Sequence, residues 1–506
     1  MTRGSRRAAS ALGSGTVLTV VLAGVLITGL DATIVVLALP EMAEDLNAPL
    51  NSVIWVVIAY LLVATLLTTQ AGRLGDMFGR IRVYQIGFVI FTVASLLCVL
   101  SWNSFTITGS RALQAVGAAF ITANSGAILS DVFPPEKRGK AFGYVGVCWS
   151  SGAVSGILAG GLLVGYASWH WIFLINIPIG GAVLLLARRL PRLPQDGRKH
   201  DLDPAGMVTL GLGLLGVLWA VTRLVTHPLG PQIIGVGAAG IVCLVLFVWV
   251  ERRAKEPMLR PSLFRLPMMP GSLLTAMLQG VANYAVLWLA LMYLQGPKGL
   301  SPLHASLLLL PGYLIAGVLS PTTGRITDRF GPVLPACAGL AVELVALFMY
   351  TQISLTSPLW HVVVANVVNG IGLGLFVPAN NAAVMKAAPP GLYGVSAGML
   401  RTFASIGWVF SFPVAILCAS QAIDRDVAVR VFVGVGELRG EAAADFMTGF
   451  NSAFLLLLTI MAVALAVSAL RAVNLTRRSA ASPRENRHTA SRSLEASSRQ
   501  STPGSS

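Results

Sequence analysis

Fourteen stretches of roughly twenty apolar residues, parted by short charged or Pro/Gly-containing segments, leave this chain very few ways to fold. A helix of about 20 apolar residues is what it takes to cross a hydrocarbon core roughly 30 Å thick. The runs cover residues 16–39, 53–71, 83–102, 105–129, 141–167, 169–187, 204–225, 231–250, 268–293, 303–324, 333–350, 359–384, 394–420 and 451–473. None alternates polar and apolar residues as a strand would, so helices are expected rather than a transmembrane barrel. The fold class is an all-α polytopic membrane protein with 14 transmembrane helices. Composition agrees, with 55% hydrophobic residues against 11% charged, where a soluble domain carries about 25% charged residues. That excludes a multidomain soluble enzyme, and it excludes disorder everywhere but the ends.

The first run, preceded by Arg3, Arg6 and Arg7, has the look of a signal peptide. It is too long for a cleaved h-region, contains Asp31 and ends without a small-residue cleavage site, so it is read as a transmembrane helix. With the N-terminus placed in the cytoplasm, 30 of the 36 Lys and Arg residues fall in cytoplasmic segments, five lie outside and Arg111 stays within the membrane. That bias sets both termini inside. It also accounts for the net charge of +15 without a nucleic-acid partner, because the charge is spread over loops as a topogenic collar. Cys98, Cys148, Cys243, Cys337 and Cys418 lie in apolar runs without ligand spacing and read as small hydrophobes. Residues 476–506, rich in Ser and Arg, read as a disordered cytoplasmic tail, and 421–449 as the long outer loop.

One loop recurs. Gly72-Arg73-Leu74-Gly75-Asp76-Met77-Phe78-Gly79-Arg80 joins the second and third runs, and Gly324-Arg325-Ile326-Thr327-Asp328-Arg329-Phe330-Gly331 joins the tenth and eleventh. Two adjoining six-helix halves would repeat it after six helices; it returns after eight. Two extra helices therefore sit between the halves, in a 6+2+6 arrangement: 1–15 a cytoplasmic N-terminus, 16–187 the first half, 188–267 a cytoplasmic loop and the extra helices, 268–475 the second half. Repeated halves with a site between them are a common plan of secondary transporters. Glycines in such a loop permit tight turns, and its charges can face helix ends and headgroups. The pair of loops is read as a cytoplasmic gate, against the plainer alternative of charged turns that only fix topology.

Charged side chains left in hydrocarbon are few. Asp31 lies in the first run, Arg111 in the fourth and Glu343 in the eleventh. An Asp at a helix centre costs roughly 2.5 to 3.5 kcal/mol on insertion scales and usually faces a cavity or a partner. Low dielectric favours the neutral form of a carboxyl, which suits a group that loads and unloads a proton. Arg111 cannot lose its proton and needs an acceptor; Asp31 is the natural one. Glu343 is read as a second proton or cation site, or as an acid that contacts a cationic substrate. Trp55, Tyr60, Gln114, Gln279, Asn283, Tyr284, Asn366 and Asn369 are polar or aromatic groups at membrane depth that could line a substrate cavity or simply pack helices. No GxxxxGK[ST] occurs, so ATP is not the energy source; HExxH is absent and the six histidines are scattered, so no cofactor or metal is expected.

The residues Leu30 to Pro40, the loop at 72–80, Arg111-Ala112-Leu113-Gln114-Ala115-Val116-Gly117, Gly152 to Gly161 and Trp169 to Pro178 together resemble the signatures of the major facilitator superfamily, in its 14-helix drug:proton antiporter branch. The match departs from the usual pattern at Val36 (Asn), Ala115 (Gly), Ile157 (Pro) and His170 (Arg). The resemblance covers roughly residues 16–475. It implies a proton-coupled transporter, not an enzyme, that exports lipophilic or cationic compounds by alternating access, and the residues read for proton coupling are Asp31, Arg111 and Glu343. It implies that Arg111 takes part in proton transfer and that Gly152, Gly156, Gly160 and Gly161 belong to an antiporter-type helix. On bare physics, the first three share one face where another backbone can approach closely. The expected setting is the plasma membrane, with small molecules and protons as partners and a monomeric chain; a dedicated natural-product, lipid or metabolite exporter, an uptake system, or a non-transporting membrane protein are the alternatives.

Overall fold

The computed structural model describes residues 3–48, 50–133, 135–188, 203–389, 392–421 and 440–499, with side chains described between Gly15 and Arg471. Among these residues all regular structure is helical. In chain order the helices are α1 (Arg3–Asp45), α2 (Leu50–Phe78), α3 (Arg80–Val99), α4 (Ser104–Val132), α5 (Pro135–Tyr166), α6 (His170–Leu174) and α7 (Asn176–Ala187). They continue with α8 (Pro204–Thr226), α9 (Pro231–Arg253), a short 3-10 turn at Pro261–Arg265, α10 (Met269–Gln295), α11 (Pro302–Phe330), α12 (Val333–Thr351), α13 (Leu359–Ala387), α14 (Tyr393–Gln421) and α15 (Glu441–Arg499). Fourteen spans among the described residues are long and apolar enough to cross a membrane. The tail expected to be unstructured lies beyond the described side chains, and 422–439 of the outer loop lies outside the described residues altogether.

Local chemistry sets the boundaries. Asn103 and Thr106 form a reciprocal capping box at the start of α4, satisfying backbone donors that a helix end leaves open. Asp203 caps α8 through the Gly206 N–H at 2.7 Å, ahead of Pro204 at the first helical position. Gly79 at φ 97° and Gly331 at φ 79° break the chain between α2 and α3 and between α11 and α12, a conformation that glycine adopts without penalty. The sixth run, expected as one helix, is divided into α6 and α7 at Ile175. Pro178 has no N–H to offer the Leu174 carbonyl, so the helical ladder is interrupted there.

Packing sorts the helices. In the first group α1 lies on α5, and α4 takes both α2 and α3; in the second α11 and α12 lie on α13, and α10 on α14 and α15. α8 and α9 pack mainly on each other, with α8 also along α2 and α14. The two groups meet chiefly where α5 faces α11 and where α2 faces α14. The α1–α5 contact is close because of glycine. A Cβ at Gly152 would collide with the Leu26 carbonyl and one at Gly156 with the Leu30 carbonyl, while one at Gly160 would stand 3.1 Å from the Ile34 carbonyl oxygen. Thr33 Oγ1 donates across the same seam to the Ala153 carbonyl at 2.9 Å. Gly161 faces the other way, and a Cβ there would stand 2.9 Å from Leu303 Cα of α11.

Overpacking a closed seam costs typically about 1–3 kcal/mol. Gly156→Val is therefore expected to lower the unfolding temperature of the detergent-solubilised protein, while Gly146→Ala, on the same helix with nothing within 4 Å, should leave it unchanged or slightly higher.

Candidate functional site

Asp31 is wholly buried in α1, and three side chains converge on its carboxylate. Arg111 of α4 donates through Nη1 to Oδ2 at 2.8 Å. Gln114, one turn further along α4, donates to Oδ1 at 3.0 Å, and Asn176 donates to Oδ1 at 3.2 Å. Asn176 opens α7 immediately after the boundary at Ile175. Arg111 is only 1% exposed. Its Nη1 also donates to Gln114 Oε1 at 2.5 Å, its Nε reaches the Val56 carbonyl at 3.5 Å, and its guanidinium lies 4.1 Å from the centroid of the Tyr60 ring. Gln114 passes the network on to Ser95 Oγ at 2.8 Å. A buried charge pair is tolerable only when its remaining donors and acceptors are satisfied, and here they largely are.

In the second group the buried carboxyl is Glu343 of α12, 0% exposed. Gln279 Nε2 of α10 donates to its two oxygens at 3.3 and 3.2 Å. No cation pairs with it among the described residues. Asn283, one turn further along α10, keeps its amide nitrogen buried and without a hydrogen bond. The two buried carboxyls thus have different surroundings: one is neutralised by a guanidinium, the other is held by an amide alone.

Several residues expected to line a cavity sit elsewhere. Gln114 and Tyr60 belong to the Asp31 cluster, at 0% and 6% exposure, and Gln279 to the Glu343 cluster. Asn366 accepts from the Gly312 N–H at 3.0 Å, beside Pro311, where α11 has lost a backbone donor; its work is helix packing. Asn369 is buried on the same helix, and Trp55 packs against the apolar core. The surface that does lie between the groups is aromatic. Trp149 of α5 stacks on Trp408 of α14 with centroids 6.1 Å apart and planes 17° from parallel, and Tyr284 of α10 also stacks on Trp408, at 6.1 Å and 26°. All three rings are partly exposed. The Tyr284 hydroxyl donates across the interface to the Ala32 carbonyl, next to Asp31. Arg401, counted in the sequence with the cytoplasmic charges, lies two turns inside α14 and is exposed.

The two copies of the recurrent loop are unequal. Arg80 bonds Asp76 at 2.8 Å and Asp131 at 2.6 Å, and donates to the Ala127 carbonyl at 3.2 Å. A Cβ at Gly75 would collide with Asn124, whose amide donates to the Ala71 carbonyl at 3.1 Å. These contacts stay within the first group of helices. Arg73 alone reaches out, donating to the Pro257 carbonyl at 2.7 Å in the connection that leads to α10. Gly72 has open space around it, as has Gly324. Arg325, Asp328 and Arg329 are exposed, and no ion pair holds them among the described residues. A GxSxG pattern, the mark of a hydrolase nucleophile elbow, does occur at Gly394 to Gly398. It lies inside α14 instead of at a strand-to-helix turn, and Ser396 is 0% exposed. No group of His, Cys, Asp and Glu able to hold a metal ion occurs among the described residues.

Sequence reasoning passed over Asn176, Trp149, Trp408 and the placement of Arg401. Asn176 was visible only as one letter of a signature, and the stacking of Trp149 on Trp408 needs the pairing of helices far apart in the chain; Arg401 stood inside the run 394–420 all along.

Residues 21–412 match the profile of the Major Facilitator Superfamily. The chain is 33% identical to the puromycin resistance protein pur8 of Streptomyces alboniger, over 77% of this chain and 78% of that protein. It is 32% identical to the riboflavin transporter RibZ of Clostridioides difficile, over 78% of this chain and 85% of that one. Among solved structures it resembles a bacterial homolog of the human lysosomal transporter Spinster in an inward-facing, unoccupied conformation, with a TM-score of 0.62 at 15% identity, covering 90% of this chain and 96% of the other.

Removing one member of a buried ion pair costs about 3–5 kcal/mol because the other is left uncompensated. Asp31→Asn is expected to lower the unfolding temperature in detergent, and Asp31→Asn combined with Arg111→Gln to regain part of the loss.

Proposed function

The chain belongs to the major facilitator superfamily, and from that premise we propose that it is a proton-coupled exporter of lipophilic compounds, working by alternating access in the plasma membrane. Residues 16–187 and 268–475 are the two halves that rock; 188–267 supplies a cytoplasmic loop and two peripheral helices. Both termini are cytoplasmic, and the working unit is a monomer.

The observation that carries this reading is the Asp31 carboxylate, fully buried and held by one guanidinium and two amides. A proton on Asp31 removes the charge that Arg111 was paired with. The guanidinium is then buried without a counter-ion, a state that relaxes only if helices shift to bring in water or another acceptor. Proton binding is in this way converted into a preference between two arrangements of the halves, as a coupled change in population requires. The Tyr284 hydroxyl bonded to the Ala32 carbonyl ties the second half to the residue beside Asp31, so substrate between the halves and the proton on Asp31 each bias the same contact. Glu343, with no cation opposite it, serves as a second site for a proton. The 72–80 loop, anchored by Arg80 and reaching Pro257 through Arg73, steadies the cytoplasmic side in one arrangement.

Moving one charge down the membrane potential supplies roughly 2.3 kcal/mol per 100 mV. At tenfold per 1.4 kcal/mol, one proton per cycle sustains a substrate gradient of about fortyfold. The names of the relatives favour small organic substrates, one of them a resistance protein and one a vitamin transporter; the latter keeps a dedicated metabolite carrier as the second reading.

In inside-out vesicles an imposed pH gradient, acid within, is expected to drive accumulation of lipophilic fluorescent dyes, and a protonophore to abolish it. Asp31→Asn should lose the pH-driven accumulation while retaining dye exchange down its own gradient. Accumulation that persists in Asp31→Asn would refute the coupling role.

A further inference from the structure

The charge lining the interface between the halves has a sign that the signatures do not announce. Asp31 is offset by Arg111 at 2.8 Å, and Glu343 is 0% exposed behind Gln279. No other carboxylate within the two six-helix groups is buried among the described residues. The exposed ionised group is instead a cation, Arg401. It precedes Trp408 by seven residues, two full turns, so the two side chains share a face of α14 about 10 Å apart along the helix axis. Trp408 fixes where that face looks, because it stacks on Trp149 of the opposite half. Thr402, the next residue, hydrogen-bonds Thr69 of α2 at 3.4 Å. Phe403, on the flank pointing away, packs on Phe264 of the peripheral connection. Arg401 forms no ion pair among the described residues. An unpaired charge within a span is costly and commonly marks a substrate pathway.

We propose that Arg401 and the stacked rings of Trp149, Trp408 and Tyr284 form one recognition site for a planar aromatic compound carrying an acidic group, the rings receiving the flat apolar part and the guanidinium the anion. This deepens the transport reading above and rests on it. The physical basis is twofold. Flat rings between aromatic faces are favoured by dispersion and quadrupole effects as well as by area. A guanidinium meets a carboxylate, sulfonate or phosphate with two parallel hydrogen bonds, where a cationic substrate would meet repulsion. The site spans both halves, so a ligand seated in it separates Trp149 from Trp408 and bears on Tyr284, whose hydroxyl reaches the residue next to Asp31.

The test is equilibrium binding to the purified full-length protein in detergent, without any gradient, so that it stands apart from proton-driven transport. Two probes with the same three-ring skeleton and opposite charge serve, fluorescein and rhodamine 6G, read by quenching of tryptophan fluorescence and by dye polarisation. The wild type is expected to bind fluorescein at least about tenfold more tightly, in line with one charge-assisted contact. Arg401→Gln should erase that preference by weakening fluorescein alone, and Arg401→Lys should restore part of it. Trp408→Leu should weaken both probes. Rhodamine binding retained by Arg401→Gln reports that the variant is folded. Equal or tighter binding of rhodamine by the wild type, binding of neither probe, or a fluorescein affinity unchanged in Arg401→Gln would each overturn the proposal, whether or not pH-driven export is observed.

Discussion

Hydrocarbon gives a charge nothing to hold, and the first half of this protein is arranged around that fact. Asp31 and Arg111 stay in the membrane interior because each satisfies the other, and because Gln114, Asn176 and Val56 take up the remaining donors and acceptors. Meeting that requirement calls on four separate helices: α1 for the acid, α4 for the guanidinium and glutamine, α2 for a carbonyl, and α7 for the asparagine. The boundary before α7, where Pro178 withholds an N–H, lies directly beside Asn176. One electrostatic demand thus helps to set the packing of four helices.

The repeat makes the comparison between halves instructive. The first half buries a compensated pair; the second buries Glu343 against an amide, buries Arg471 among Ser272, Asn380 and Ser468, and leaves Arg401 exposed. The loops diverge in parallel. Arg80 is bonded to Asp76 and Asp131, whereas the corresponding side chains of the second loop lie exposed. Duplicated architecture has been kept while the chemistry has been divided, with the tightly bound network on one side and the looser, more polarisable surface on the other.

Much of this was legible in the chain. Span number, helical class and the recurrence of the loop follow from hydropathy and spacing, because a bilayer penalises every unpaired backbone group and so leaves few solutions. Asp31 and Arg111 could be singled out since charge inside an apolar run is rare. What could not be read was direction. Gln114, Gln279 and Asn366 are polar letters in apolar helices, and nothing local tells whether such a side chain meets a carboxylate, a backbone N–H or a ligand. Trp149, Trp408 and Tyr284 lie 259 residues apart at the extremes, and their stacking is a fact of tertiary pairing alone. Arg401 is miscounted with the cytoplasmic charges: it stands seven residues inside the run 394–420, a position that already puts it about two turns deep.

The small residues of α5 carry a mechanical consequence. Gly152, Gly156 and Gly160 let α1 lie backbone to backbone on α5, closed by the Thr33 bond to Ala153, while Gly161 turns toward α11 of the opposite half. So tight a seam leaves little slack for sliding, and the two helices behave as one lever. The lever's long arm bears on the facing half, and Asp31 is mounted on its other member. A displacement of α5 against α11 would therefore carry α1 with it, and Asp31 with α1.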